Sequence, residues 1–98
     1  MRGTMTEQLV ALRRQGLEYK MIAEQCGLPY YQVYRTITAA LTPAEQKEIA
    51  AQAPLLLGRK MAKMRAEEHL SYRQIADYFG VSIPYVRNHV EKARREDE

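Results

Sequence analysis

The chain has a single cysteine, a single phenylalanine and no tryptophan among its 98 residues. The lone Cys26 excludes an intramolecular disulfide, and with only His69 and His89 beside it the four ligands of a structural zinc site are missing. No apolar run approaches the roughly 20 residues that a membrane-spanning helix needs. The first residues, MRGTMTEQ, lack the apolar core of a signal peptide. We therefore expect a cytoplasmic protein with no metal site and no membrane contact.

The sequence is also poor in patterns of catalytic chemistry. It contains no recognisable Ser/His/Asp set, no acidic cluster of the kind that binds metal ions and no glycine-rich phosphate loop. We therefore predict that the protein is not an enzyme and uses no cofactor. The net charge of +3 is modest, so it is compatible with a nucleic-acid partner without establishing one.

What the chain does contain is an internal repeat. Residues 17–37 and 70–90 align without a gap at an offset of 53 positions, which predicts a duplicated architecture. The identical pairs are Leu17/Leu70, Tyr19/Tyr72, Ile22/Ile75, Ala23/Ala76, Gly27/Gly80 and Val33/Val86. Each copy reads as two short helices joined by a tight turn at its glycine, because glycine takes the left-handed conformation at little cost.

The helix before each copy carries its own apolar stripe. Met5, Leu9 and Leu12 follow i, i+4, i+7 spacing, and the same spacing recurs at residues 57, 61 and 64. Each repeat therefore has three predicted helices. Thr6 is expected to cap the first of these helices, and Ser71 and Ser82 are expected to cap the last two.

These patterns predict an all-α fold of about seven helices, with two helix-turn-helix units joined by a short linker helix. The first unit covers residues 1–41, the linker helix covers 42–54 and the second unit covers 55–98. Pro54 is expected to stop or kink the linker helix, because a proline inside a helix removes a hydrogen bond. Cys26 aligns with Phe79, so it is expected to be a small buried side chain.

Both copies resemble known helix-turn-helix motifs. QGLEYKMIAEQCGLPYYQVYR, residues 15–35, resembles the motif of transposases and of the resolvase/invertase recombinases. SYRQIADYFGVSIPYVRNHV, residues 71–90, resembles that of sigma factor region four and of response-regulator output domains. The resemblance implies that the third helix of each unit enters the major groove of DNA, where the four base pairs are distinguishable.

Carried over by position, the resemblance also implies which side chains contact DNA. The base-reading side chains would be Tyr30, Tyr31, Tyr34 and Arg35 in the first unit and Ile83, Tyr85, Arg87 and Asn88 in the second. Arginine pairs with guanine and asparagine with adenine in this role. The phosphate contacts would come from Lys20, Arg59, Lys63, Arg73, Lys92 and Arg94.

Our leading interpretation is a sequence-specific regulator of transcription, a repressor or an activator of bacterial, phage or plasmid type, that binds double-stranded DNA. It would act as a two-headed monomer, or as a homodimer that pairs through one unit. The exposed tyrosines of the first unit leave open an adaptor that binds RNA polymerase or another protein. A DNA-binding component of a recombination, partition or packaging machine also remains open, because this motif serves many roles.

Overall fold

In the computed structural model, residues 3–97 are described, and they form six α-helices and no β-strand. The all-α prediction is therefore confirmed. The helices are α1 (Met5–Arg14), α2 (Tyr19–Cys26), α3 (Tyr30–Ala40), α4 (Pro43–Glu67), α5 (Tyr72–Phe79) and α6 (Ile83–Glu96).

One long helix stands where the sequence predicts two. Pro54 lies inside α4 and does not stop it, so residues 3–97 contain six helices rather than about seven. A proline inside a helix costs roughly 3 kcal/mol. Buried residues continue at four-residue spacing on both sides of it, with Ile49 and Ala53 before and Leu57 and Met61 after. Their burial offsets the lost hydrogen bond.

The chain divides into two compact units, Met1–Ala53 and Pro54–Glu98. Each unit has its own buried apolar residues, and none of the buried residues within 3–97 is polar or charged. Those of the first unit are Leu9, Leu17, Met21, Ile22, Ala23, Val33, Ile37, Leu41, Ile49 and Ala53. Those of the second are Leu57, Met61, Met64, Ile75, Ala76, Phe79, Val86, Val90 and Ala93.

The two predicted glycine turns have the same backbone geometry. Gly27 (φ 66°, ψ 33°) ends α2 and Gly80 (φ 71°, ψ 36°) ends α5, both in the left-handed region. The residue after each glycine donates its N–H to the carbonyl of the aligned alanine at 3.0 Å, from Leu28 to Ala23 and from Val81 to Ala76. Each bond folds the chain back onto the last turn of the helix, so each helix ends at its glycine.

Side-chain caps begin helices in both units. Ser71 and Gln74 form a reciprocal capping box at the start of α5, and the Ser82 hydroxyl accepts the N–H of Tyr85 at the start of α6, as predicted. The first helix begins earlier than predicted, because Thr4 rather than Thr6 accepts the N–H of Glu7. Thr4 has a glutamate three residues later, which is the spacing of a capping box.

Two expectations about the first unit's core are wrong. Met5 is exposed because it is the first residue of α1, whereas Leu9 is fully buried. Cys26 is exposed, although the aligned Phe79 is buried. The first unit instead buries Met21, at the position that Gln74 uses for capping in α5. The buried residues of α2 therefore lie near the start of the helix, whereas those of α5 extend to its end.

Candidate nucleic-acid interface

The outward face of α6 carries the candidate base-reading side chains of the second unit. Val86, Val90 and Ala93 are buried and hold the helix on its core. Arg87 and Asn88 are exposed on the other side of the helix, and Ile83 is 37% exposed at its first turn. The start of α6 therefore presents a cation, an amide and an aliphatic side chain to solvent.

Tyr85 is less available for a contact with a base than the sequence suggests. It is half-buried, and its ring stacks on that of His89 with centroids 4.2 Å apart. His89 Nδ1 lies 3.0 Å from the carbonyl oxygen of Tyr85, so this nitrogen carries the hydrogen of the contact. His89 is half-buried and is therefore not part of the exposed face of α6. A Cβ on Gly58 would approach the His89 carbonyl oxygen within 2.6 Å, which places α4 directly against this part of α6.

Arg95 belongs to the same outward face and is absent from the predicted set. It lies seven residues after Asn88, two helical turns along one face, and both side chains are exposed. Glu91 lies between them on that face and is also exposed. The i, i+3, i+7 spacing of residues 88, 91 and 95 is visible in the sequence, and α6 continues to Glu96, so Arg95 lies on a helical face.

Arg87 touches the ring of Tyr72, the first residue of α5. Its guanidinium carbon lies 5.9 Å from the ring centroid. A second guanidinium, that of Arg65, lies 4.5 Å from the same centroid. Arg65 also donates a hydrogen bond to the carbonyl oxygen of Leu70 at 3.2 Å. One half-buried ring thus connects the end of α4 with the outward face of α6.

The first unit repeats this arrangement with one substitution. Arg13 donates to the carbonyl oxygen of Leu17 at 3.0 Å, and its guanidinium lies 4.8 Å from the ring centroid of Tyr19. The position of Arg87 is taken by Tyr34, whose ring meets Tyr19 edge-on at 5.2 Å. Both units therefore have an arginine that contacts the first tyrosine of their second helix. They differ in the side chain that the third helix places beside this tyrosine, which is charged in the second unit and uncharged in the first.

The candidate tyrosines of the first unit fall into two groups. Tyr30 and Tyr34 stack on each other, with centroids 6.3 Å apart, and both meet Tyr19 edge-on. Tyr31 lies apart from them and lines a shallow concavity along α3 together with Arg35. Exposure is 53% for Tyr30, 64% for Tyr31 and 47% for Tyr34, so α3 presents three large aromatic surfaces to solvent.

The candidate phosphate contacts divide by whether they already have a partner. Within residues 3–97, no hydrogen bond or ion pair engages the exposed side chains of Lys20, Arg73, Lys92 and Arg94. Lys63 lies 3.9 Å from Glu67, but both side chains are largely exposed, so this pair is weak. Within the described range, these four side chains have no carboxylate partner to leave before they contact a phosphate.

Arg59 is the exception among these cations. Its Nη2 lies 2.7 Å from Asp97 Oδ1 and its Nε donates to the same carboxylate, which ties α4 to the end of α6. These hydrogen bonds and the negative charge of Asp97 raise the pKa of Arg59 above its usual value. Arg59 would have to break this pair in order to contact a phosphate.

Other kinds of site have less support in the part of the chain that the structure describes. Within residues 3–97, no group of three or more His, Cys, Asp or Glu side chains is placed to hold a metal ion. None of the helices over the same range combines the length and apolar composition needed to cross a bilayer. Comparison of this chain with protein-family models, with curated proteins and with solved structures gives no match.

Proposed function

We propose that this protein is a sequence-specific regulator of transcription that binds double-stranded DNA through helix-turn-helix units and reads bases with α6. The observation that carries the proposal is the α5–Gly80–α6 arrangement. Gly80 makes a left-handed turn between α5 and α6. The buried Val86 and Val90 hold α6 on the core, and Arg87 and Asn88 therefore lie on its exposed face. A helix of this kind fits the major groove, which is about 12 Å wide.

The exposed side chains of α6 have the chemistry that base recognition needs. The Arg87 guanidinium has donors for both acceptors on the major-groove edge of guanine, and the Asn88 amide can pair with adenine. Ile83 offers an aliphatic contact for a thymine methyl group. The exposed Arg95 extends this face by two helical turns. Its guanidinium could contact a base further along the groove or the sugar-phosphate backbone of the DNA.

The surrounding cations support binding to the sugar-phosphate backbone. Arg73 lies on α5, and Lys92 and Arg94 lie on α6, and all three are exposed and unpaired within residues 3–97. Contacts from such side chains supply the salt-dependent part of affinity because each one releases condensed counterions from DNA. Glu91 on the same helix would oppose this attraction, so we expect the overall salt dependence to be moderate.

A second candidate function applies to the first unit. Its third helix presents Tyr30, Tyr31 and Tyr34 with Arg35 as the cation among them, whereas the second unit presents Arg87 and Asn88. Exposed tyrosines are enriched in protein interfaces. We therefore also propose that the first unit binds a protein partner, a second copy of the chain or a subunit of the transcription machinery, while the second unit binds DNA.

Selection from a pool of random duplexes tests the proposed function directly. We expect an enriched site whose specific affinity exceeds non-specific affinity by about 10³-fold or more. A site with two half-sites about 10 base pairs apart would support base reading by two heads, from one chain or from a dimer. A short single site would favour reading by α6 alone, and Tyr31→Ala with Tyr34→Ala would then leave its recognition unchanged. Recovery of the starting pool without enrichment would contradict the proposal.

A further inference from the structure

The ring of Tyr72 lies between the scaffold of the second unit and its candidate base-reading arginine. Tyr72 is half-buried at the start of α5, and its ring is contacted by Arg65 at 4.5 Å and by Arg87 at 5.9 Å. A guanidinium within about 6 Å of an aromatic centroid is attracted by the negative face of the ring. Arg87 makes no hydrogen bond or ion pair within residues 3–97, so no other polar partner in that range competes with the ring for its guanidinium.

The ring itself is held in place. Arg65 bonds the Leu70 carbonyl at 3.2 Å, two residues before Tyr72, while its guanidinium covers the ring. The adjacent Ser71 and Gln74 close a capping box, which fixes the backbone from which the ring projects. The ring is therefore a fixed surface, whereas Arg87 is an exposed side chain with several rotatable bonds.

We propose that Tyr72 is a positioning residue that pre-orients Arg87 for base recognition and thereby contributes to sequence specificity; this inference rests on the proposed function. An arginine free in solvent loses rotamer freedom when it binds a base edge, and this loss reduces affinity. A ring contact that already restricts Arg87 lowers the entropy lost on binding. Tyr72 acts through Arg87 and does not itself contact the DNA in this scheme.

The first unit provides an internal comparison. Arg13 and Tyr19 repeat the contact of Arg65 and Tyr72, but the residue on the outward helix is Tyr34 instead of arginine. The first unit therefore keeps the contact between Arg13 and the Tyr19 ring but has no cation at the position of Arg87. In the first unit the ring packs against another aromatic ring, and in the second unit the equivalent ring orients a charged group.

A double-mutant cycle between Tyr72→Leu and Arg87→Ala tests the inference. The readout is the affinity for the selected site divided by the affinity for the same site with one base pair replaced. The replaced base pair is the one at which Arg87→Ala loses discrimination. We expect Tyr72→Leu to lower this ratio roughly three- to tenfold in the wild-type background. In the Arg87→Ala background it should have no further effect. Tyr72→Phe should retain the wild-type ratio, because the ring is kept.

The matched control is Tyr19→Leu, which removes the equivalent ring from the first unit and should leave discrimination at the Arg87 position unchanged. An equal loss from Tyr72→Leu at a base pair whose discrimination Arg87→Ala leaves intact would overturn the inference while leaving the proposed function intact. A chain that enriches no duplex would overturn both. If Tyr72→Leu does not fold, proton spectra of the free wild-type protein decide. The Arg87 side-chain protons should be shifted by the ring current relative to those of Arg73, and unshifted protons would overturn the inference.

Discussion

Arg65 and Tyr72 form a cation–π contact of 4.5 Å, and Arg65 also donates a hydrogen bond to the carbonyl oxygen of Leu70. One side chain thus fixes both the loop after α4 and the first turn of α5. Arg13 makes the same two contacts with Leu17 and Tyr19 in the first unit. Equivalent contacts in both copies indicate that this side chain holds the leading helix of each unit against the helix that follows.

Removal of this side chain should destabilise either unit. Arg65→Ala is expected to lower the free energy of unfolding by roughly 1–2 kcal/mol, the sum of one hydrogen bond and one exposed cation–π contact. Arg13→Ala should have a similar effect on the first unit. Denaturant unfolding measures both. Lys63→Ala on the same helix is the control, since its pair with Glu67 is weak, and an equal loss there would show that the Arg65 contacts contribute little.

Gly58→Ala should destabilise the protein, although an alanine in a helix interior normally stabilises it. The added Cβ would lie 2.6 Å from the carbonyl oxygen of His89 and 3.1 Å from the Cβ of Ala93, and the first of these atoms is backbone. Overpacking of this kind typically costs about 1–3 kcal/mol, whereas helix propensity alone predicts a gain of roughly 1 kcal/mol. The sign of the change in unfolding free energy therefore decides whether α4 and α6 pack this closely.

The two turn glycines should be sensitive to substitution for a different reason. Apart from the two neighbouring residues, no atom of residues 3–97 lies within 4 Å of a Cβ placed on Gly27, so Gly27→Ala meets the conformational cost of φ 66° without a clash there. That cost is about 1–2 kcal/mol, and Gly27→Asn should cost less because asparagine tolerates this region. His69 has φ 57°, so His69→Gly should leave stability unchanged or raise it slightly. Equal stabilities for Gly27→Ala and Gly27→Asn would contradict this account.

The stability that Glu45 contributes should depend on pH. The Thr42 backbone N–H donates a hydrogen bond to its carboxylate at 2.9 Å, and the Thr42 side chain and, to a smaller extent, Arg14 add to this effect, so the pKa of Glu45 lies below its usual value. A lowered pKa in the folded state means that the contribution is present above the unfolded pKa and is lost as the pH falls through the folded value. The stability difference between wild type and Glu45→Gln should therefore shrink below about pH 4.5. A difference that stays constant down to the acid transition would show that the bonds are absent in solution.

The two classes of proposed DNA contact should respond differently to mutation. Arg87→Ala should cost roughly 1–3 kcal/mol on the selected site and relax the preference at one base pair. Lys92→Ala or Arg73→Ala should weaken binding to all sequences alike and reduce the slope of affinity against salt by about one. Mobility-shift titrations at several salt concentrations measure both effects. Unchanged specific affinity in Arg87→Ala would place the reading helix elsewhere.

Much of the fold could be predicted from the sequence because its signals are local. Glycine at a helix end and serine at a helix start act through nearby backbone, so Gly27, Gly80, Ser71 and Ser82 all have the predicted roles. The helix stop predicted at Pro54 is wrong for the opposite reason. The local preference of this proline for a helix break is overridden by the apolar stripe of α4, whose energy depends on tertiary burial.

The candidate site was only partly visible in the sequence. The exposure of Arg87 and Asn88 follows from their helical phase relative to Val86 and Val90. The arginine contacts were missed because Arg13 and Arg65 are 52 positions apart, whereas the residues they touch are 53 apart. Alignment at one offset does not reveal such a pair, and only the folded loops bring each arginine back to its tyrosine.

That one-residue difference has a practical consequence for labelling. Leu17 donates its N–H to the carbonyl of Leu12 at 3.4 Å, and Leu70 donates to Met64 at 3.3 Å across one more residue. The bond that closes the loop therefore joins equivalent residues in both units, and the extra residue lies between Met64 and Leu70, within the end of α4 and the exposed loop that follows it. Exposed loops of this kind accept insertions. A fluorophore or a short tag placed beside His69 would thus report on the second unit while leaving its helices in register.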